Sequence, residues 1–452
     1  MTKTPLRLLV GGAAVALAVT ACSSGSSGGG TGGTSPSPGG SSSSSTANTA
    51  SAPGVTATTV TIGSHQPLTG VAAPGYDEIA PAAKAYFDYI NANGGIHGRT
   101  IIYKYLDDGY NPAKTVTDVK QLVLQDHVFA IFNGLGTPTH EQVVPFLNAQ
   151  KVPDLFVASG CLCWNNPSQD PETFGWQPDY TREGKILGQY VAQNFKGMKV
   201  GIFAQNDDFG TDGINGLKDE LPASSIVSTQ RYDPAGAPAA IAPLVGKLQA
   251  AGAQVIISFS VPAFTALFQL DSLALKYQPA HLVVSNVGSD PITLSGLLTS
   301  FSKGKAPGRA LIQGIITDGY LSSPIDPSNS WIQLFKTIHD KYIPKLPFDG
   351  NVEYGMAAAY TFAEALEAAG QNPTRASIVA AVENTKFAGP GLVPYAYSPT
   401  DHSGFTGAQM GIIKGLAIKL IGTPLTTDDG SGPITPYTTP QATAPSNGIP
   451  TD

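Results

Sequence analysis

Between residues 55 and 421 the chain alternates two patterns of apolar positions. Short β-rich runs such as Val60-Thr-Ile-Gly-Ser64 are followed by longer stretches whose apolar residues recur three and four apart. From Asp77 to Asn93, the residues Ile79, Ala83, Tyr86, Phe87 and Ile90 share one side of a helix, which predicts a buried face. Gly94-Gly95 ends that helix, since glycine accepts the left-handed conformation of a C-terminal cap. The same reading predicts strands at 100–106, 129–133 and 153–158, a helix opening at Pro112 with Val116, Val119 and Val123 on one side, and a helix at 138–150.

The pattern restarts after Tyr180. Helices are predicted at 182–194, 212–221, 240–251 and 262–275, with strands at 199–204, 225–232, 254–259 and 281–285. Alternation of this kind implies parallel sheets covered on both faces by helices. Two such series predict an α/β protein of two doubly wound lobes. The later segments are a strand at 314–317, helices at 330–342, 354–369 and 374–385, and strands near 393–397 and 408–421. They are too few for a third domain and are read as the chain returning to complete both lobes.

The two ends differ from this body. Lys3 and Arg7 precede an apolar run from Leu8 to Ala21, too short to cross a bilayer, which needs roughly 20 residues as a helix. Residues 1–21 are therefore expected to be a signal peptide. The sequence Val19-Thr-Ala-Cys22 resembles a bacterial lipobox, which implies lipidation of Cys22 and anchorage to the outer face of the cell membrane. Residues 22–54 are nearly all Ser, Gly, Thr, Ala and Pro, and are expected to be a flexible tether with nothing to bury. Residues 422–452, rich in Thr, Pro, Gly and Ser, are expected to be a disordered tail.

Charge and cysteine content narrow the function. The formal net charge is −7, and losing Lys3 and Arg7 with the leader makes it −9. An acidic chain without a basic run is a poor partner for nucleic acid. Beyond Cys22 the cysteines are Cys161 and Cys163 alone, which excludes a disulfide scaffold and four-Cys zinc spacing. These two are either paired with each other or packed as free thiols.

Catalytic signatures fail in turn. His140-Glu141 would need a histidine where Val144 stands to form a zinc helix. Gly134-Leu-Gly136 begins like a dinucleotide loop, but Thr139 occupies the third glycine position. No Gly-x-x-x-x-Gly-Lys-Ser/Thr phosphate loop occurs. Asp107-Asp108 and Asp207-Asp208 follow strands, where paired acids cap helices or hold turns more often than they catalyse. The seven histidines lack ligand spacing and are read as surface or turn residues. No enzyme activity, cofactor or metal is expected.

Tyr89-Ile-Asn-Ala-Asn-Gly-Gly-Ile-His-Gly98, a strand, Asp107-Asp108 and then Asn111-Pro-Ala resemble the amino-terminal lobe of type I periplasmic solute-binding proteins of the branched-chain amino-acid (leucine-isoleucine-valine-binding) type. Pro67-Leu-Thr-Gly70, Val152-Pro-Asp-Leu-Phe-Val-Ala-Ser159 and Gln205-Asn-Asp-Asp-Phe-Gly-Thr-Asp-Gly213 agree. The resemblance implies two lobes joined by a three-crossing hinge, divided here as 55–180 plus 316–387 and 181–315 plus 388–421. It implies a ligand site drawn from Tyr76, Gly136, Thr137, Ala158, Ser159, Gly160, Phe209, Val261 and Val287. Gly136 stands where the family commonly has serine, and Val287 where amino-acid binders carry an acid against the ligand ammonium. Unless Asp290 or another acid reaches in, the ligand is expected to lack an amino group, because a buried ammonium without a counter-charge is costly. The family's amino-lobe disulfide is missing, with Tyr110 and Leu135 near its expected ends.

The function so implied is that of an extracytoplasmic, monomeric substrate-binding subunit of an ABC importer. It would capture a branched-chain amino-acid-like solute, or an aromatic or aliphatic carboxylate or amide, and pass it to permease subunits. The alternative is a sensor of the same fold.

Overall fold

The computed structural model describes residues 47–451. The expected signal peptide, Cys22 and most of the tether lie outside the described residues. Strands β1 (Thr59–Gln66), β2 (Thr100–Asp107), β3 (Ile131–Phe132), β4 (Asp154–Val157) and β5 (Thr173–Gly175) form the first sheet. Its order is β2-β1-β3-β4-β5, with every pair parallel. The second sheet runs parallel in the order β7 (Ile226–Tyr232), β6 (Val200–Gln205), β8 (Val255–Phe259), β9 (His281–Val284) and β10 (Ile316–Gly319). Strand β11 (Gly407–Lys414) then pairs antiparallel with β10. The short strands β12 (Ala417–Leu420), β13 (Leu425–Thr426) and β14 (Thr435–Pro436) extend that edge. Strands β6 and β8 are buried along their whole length, as expected of parallel strands roofed on both faces.

The helix Ile79–Ala92 buries Ile79, Ala83, Tyr86, Phe87 and Ile90, the face its periodicity predicts. It packs against the helices Ser330–Tyr342 and Gly350–Ala368, which follow β10 in the chain. Edge-on ring pairs fix that contact, with centroids 6.2 Å apart for Tyr86–Tyr360 and 5.8 Å for Phe87–Phe362. The chain thus leaves the first lobe after β5, returns after β10, and leaves again before β11.

The structure corrects several sequence-based boundaries. Residues 316–319 are β10 of the second sheet, so the return to the first lobe starts after Gly319. The expected helix 138–150 is two short ones, Thr137–His140 and Val144–Ala149, with Pro145 at the start of the second. The expected strand at 393–397 is a single bridge between Tyr395 and Phe405. A helix at Pro291–Phe301 had no counterpart in the prediction, although Asp290-Pro291 carries its cap and its fixed first φ.

The largest correction concerns residues 422–451, which are ordered against the body. Trp331 Nε1 donates to Ala442 O at 2.7 Å, Tyr86 OH to Gly448 O at 2.6 Å, and Tyr89 OH to Asn447 O at 2.7 Å. The fully buried Lys185 donates to Asp428 Oδ1, Gly430 O and Gly432 O at 2.6–2.9 Å. A buried ammonium or indole N–H must be satisfied, and the tail's carbonyls do this here. Its few apolar residues, Ile434, Tyr437, Ala444 and Ile449, pack on the main core. The tether's last residues are likewise held, because Arg99 donates to Thr49 O and Ser51 donates to Pro373 O.

Candidate functional site

Each parallel sheet has a point where strand order reverses, at β1/β3 in the first and β6/β8 in the second. Loops leaving the carboxyl ends diverge there and open a crevice. The two crevices face each other across a cavity of about 160 Å³. A cavity near that size holds a molecule about as large as benzene.

The first-lobe wall is the turn after β3. Gly134 is forced by what lies behind it, since a Cβ there would sit 2.5 Å from His140 Nδ1 and 2.6 Å from His65 Nε2. Gly136 has φ +104°, and its N–H donates to Ala158 O at 3.2 Å. Thr137 follows, its hydroxyl 2.6 Å from that of Ser159. Ser159 is buried and Gly160 O accepts Tyr180 N–H at 2.7 Å, so these two support the wall rather than line the cavity. Tyr76, Gly136, Thr137, Ala158, Phe209, Val261 and Val287 do line it. Tyr110 and Leu135, the positions near the absent family disulfide, line it as well.

Behind this turn runs a buried chain of hydrogen bonds. Asp108 Oδ2 meets His65 Nδ1, His65 Nε2 meets His140 Nδ1, and His140 Nε2 meets Asp154 Oδ2, each at 2.8 Å. Thr115 and Thr173 donate to the outer carboxylates. Three consecutive links thus join two carboxylates through two imidazoles. Burial pushes His65 down, opposed by its bond to Asp108. His65, His140 and His402 are fully buried, contrary to the expected surface placement. Asp107 holds a turn by accepting from Leu68, Thr69 and Gly109 N–H, and Asp207 caps the helix Asp208–Glu220, as expected.

The second-lobe wall carries Phe209, whose ring centroid is 4.3 Å from that of Tyr180. Val261 N–H donates to Tyr232 OH at 3.1 Å, and Tyr76 OH reaches across to donate to Val287 O at 2.8 Å.

Acids reach the cavity, Asp290 from the family-matched segment and others from elements that the motifs did not indicate. Asp290 lines it, but its oxygens accept from Ile292, Thr293 and Gly350 N–H. Asp318 and the adjacent Glu183 both accept from Asn286. Burial raises both carboxyls; Asp318 pushes Glu183 up further, while the hydrogen bond with Glu183 holds Asp318 down. Glu353, on the helix Gly350–Ala368, is 3 % exposed and faces the cavity. Three acids therefore line the cavity, although the motif position Val287 carries none. Tyr180, Tyr320 and Tyr354 complete the aromatic lining.

The profile of the periplasmic binding protein family matches residues 59–415. The chain belongs to this family. Among curated members, the Leu/Ile/Val-binding protein homolog 3 of Brucella melitensis is 25% identical over 205 residues, 44% of this chain and 53% of that protein. The chain spans about half the length of the curated relatives it matches. A branched-chain amino acid ABC transporter protein from Thermus thermophilus, solved with bound valine, aligns with TM-score 0.69 and 20% identity over 82% of this chain and 97% of that one. A fatty acid ABC transporter substrate-binding protein from Thermomonospora curvata aligns with TM-score 0.72 and 20% identity over 85% and 98%. At such identities the two structures speak to the periplasmic binding protein fold and not to a shared ligand.

Proposed function

We propose that this periplasmic binding protein captures a small solute in the interlobe cavity and delivers it to the membrane subunits of an ABC importer. The observation that carries the reading is the cavity at two facing switch points, lined by residues from both lobes. A ligand touching both walls favours the closed arrangement over the open one, and that difference drives closure. The turn 134–139 and the hydroxyls of Thr137 and Tyr180 supply donors for a ligand carboxylate. Phe209, Val261 and Val287 supply apolar contact. The resemblance of residues 19–22 to a lipobox supports an extracytoplasmic protein tethered by lipid at Cys22.

The test is thermal melting of the mature chain, stripped of carried-over solute by unfolding and refolding, against amino acids, carboxylates, amides and sugars. A true ligand at about 100 times its dissociation constant adds roughly 2.7 kcal/mol. Absence of any shift across the library would refute capture of a small solute. Binding without loss of uptake on deleting the permease would refute the transport role and leave that of a sensor.

A further inference from the structure

The wall of the cavity is acidic without a base. Asp290, Asp318 and Glu353 line it, and among the described lining residues there is no Lys, Arg or His. Asp290 and Asp318 are occupied by the protein's own N–H groups. Glu353 is not. It is 3 % exposed, it faces the cavity, and no described residue hydrogen-bonds or ion-pairs with its carboxyl. A buried carboxyl with no protein partner is costly, and a donor on the ligand would offset that cost.

Resting on the capture reading above, we propose that Glu353 receives the ammonium group of the ligand, so that the solute is a small ammonium-bearing molecule of amino-acid size. The assignment moves the counter-charge between lobes. Val287, where amino-acid binders carry their acid, belongs to the second lobe and gives its carbonyl to Tyr76. Glu353 stands on a helix packed on the first lobe, the lobe that also carries Thr137 and the turn 134–139. Both ends of the ligand are then held by the first lobe before the second closes.

The alternative of a simple carboxylate meets an electrostatic obstacle. An anion entering this site adds like charge to Glu353, Asp290 and Asp349, with no cation to offset it. A long acyl chain also exceeds a cavity of about 160 Å³. An ammonium brings three donors and the missing positive charge, and the helix N-terminus beneath Glu353 favours its ionised form.

Proton uptake and release follow. Burial pushes the Glu353 carboxyl well above its usual range, and Asp349 and Asp290 add repulsion. The other groups around it are acids too: Glu78 beside Asp349, and the Glu183–Asp318 pair across the cavity. A bound ammonium favours the ionised carboxyl, and a proton displaced from Glu353 leaves to solvent.

The experiment is calorimetric titration of the mature chain with matched pairs, each amino acid beside its deaminated analogue, such as leucine with 4-methylpentanoate and phenylalanine with 3-phenylpropanoate. We expect one amino acid to bind at least about 30-fold tighter than its analogue. Heats in buffers of different ionisation enthalpy should show proton release on binding. Glu353→Gln keeps the shape of the side chain, so it should fold, lose about 30-fold in affinity and release no proton. Glu353→Asp should recover part of the affinity. An analogue binding as tightly as its amino acid, or Glu353→Gln binding unchanged with the same proton release, would overturn the assignment and leave capture intact. Silence from every compound toward the wild-type chain would overturn capture of an amino-acid-sized solute, and the assignment with it.

Discussion

Placing serine at position 136, where related binders commonly have it, is predicted to damage this protein. Gly136 has φ 104° and ψ 141°, a region that costs a residue with a side chain about 1–3 kcal/mol. A Cβ there would lie 2.4 Å from Tyr110 Cε2 and 2.6 Å from Thr139 Oγ1. Neither neighbour yields freely. Thr139 Oγ1 donates to Leu135 O at 2.7 Å and approaches Gly136 O at 3.1 Å, while Tyr110 is wedged at the lobe interface near Gln205. Overpacking of this sort adds about 1–3 kcal/mol. The total, about 2–6 kcal/mol, is a large part of a typical stability of about 5–15 kcal/mol. The assay is urea unfolding of the ligand-free chain by tryptophan fluorescence, with Gly136→Ala as control. Alanine bears the same backbone and Cβ penalties without the hydroxyl, so the two variants should fall together. A serine variant within about 0.5 kcal/mol of wild type would refute the reasoning, as would one well above alanine.

Three further outcomes are expected. His140→Ala removes the middle of the buried chain from Asp108 to Asp154 and leaves Asp154 with Thr173 alone among its former side-chain partners; a loss of about 3–5 kcal/mol in urea is expected, and a loss below about 1 kcal/mol would show that the chain contributes little to stability. Truncation after Thr426 strips the carbonyls that satisfy Lys185 and Trp331, so the melting temperature should drop and the helix Ser330–Tyr342 become protease-sensitive; an unchanged melt and digest would restore the disordered-tail reading. The ligand-free chain should melt higher near pH 6 than at pH 8. Burial raises Asp349 to about 7 and Glu78 to about 9, with neighbouring acids adding to both. The unfolded chain releases these protons near pH 4, so their contribution is complete below that and is lost as pH climbs through 7 and 9. His65, pushed down by burial, acts in reverse and lowers stability as pH falls below about 6.5. A higher melt at pH 8 than at pH 6 would contradict this balance.

Much of the fold was legible because its signals are local. The face of the helix Ile79–Ala92 follows from spacing alone, and continuous apolar runs such as β6 and β8 announce strands buried on both sides. Motif matching also reached the walls: Gly136, Thr137, Ala158, Phe209, Val261 and Val287 lie just beyond the carboxyl ends of strands and line the cavity. Glu353 escaped because no motif surrounds it. One signal was present, an acid on the helical face shared with Met356, Ala357 and Tyr360, where a residue expected to be solvated is buried instead.

The sequence by itself determined most of the strands and helices and that the chain builds two parallel-sheet lobes, and its resemblance to a family showed that Gly136 stands in place of a side chain. Each rests on neighbours in the chain, where periodicity, caps and turn chemistry act. Tertiary structure alone decided that residues 422–451 are held, that His65 and His140 meet behind Gly134, and that Glu353 faces the cavity unpaired. Those outcomes depend on satisfying buried polar groups, and the partners that do so lie tens to hundreds of residues away. Composition cannot name a partner for Lys185 or deny one to Glu353; only the packed chain can.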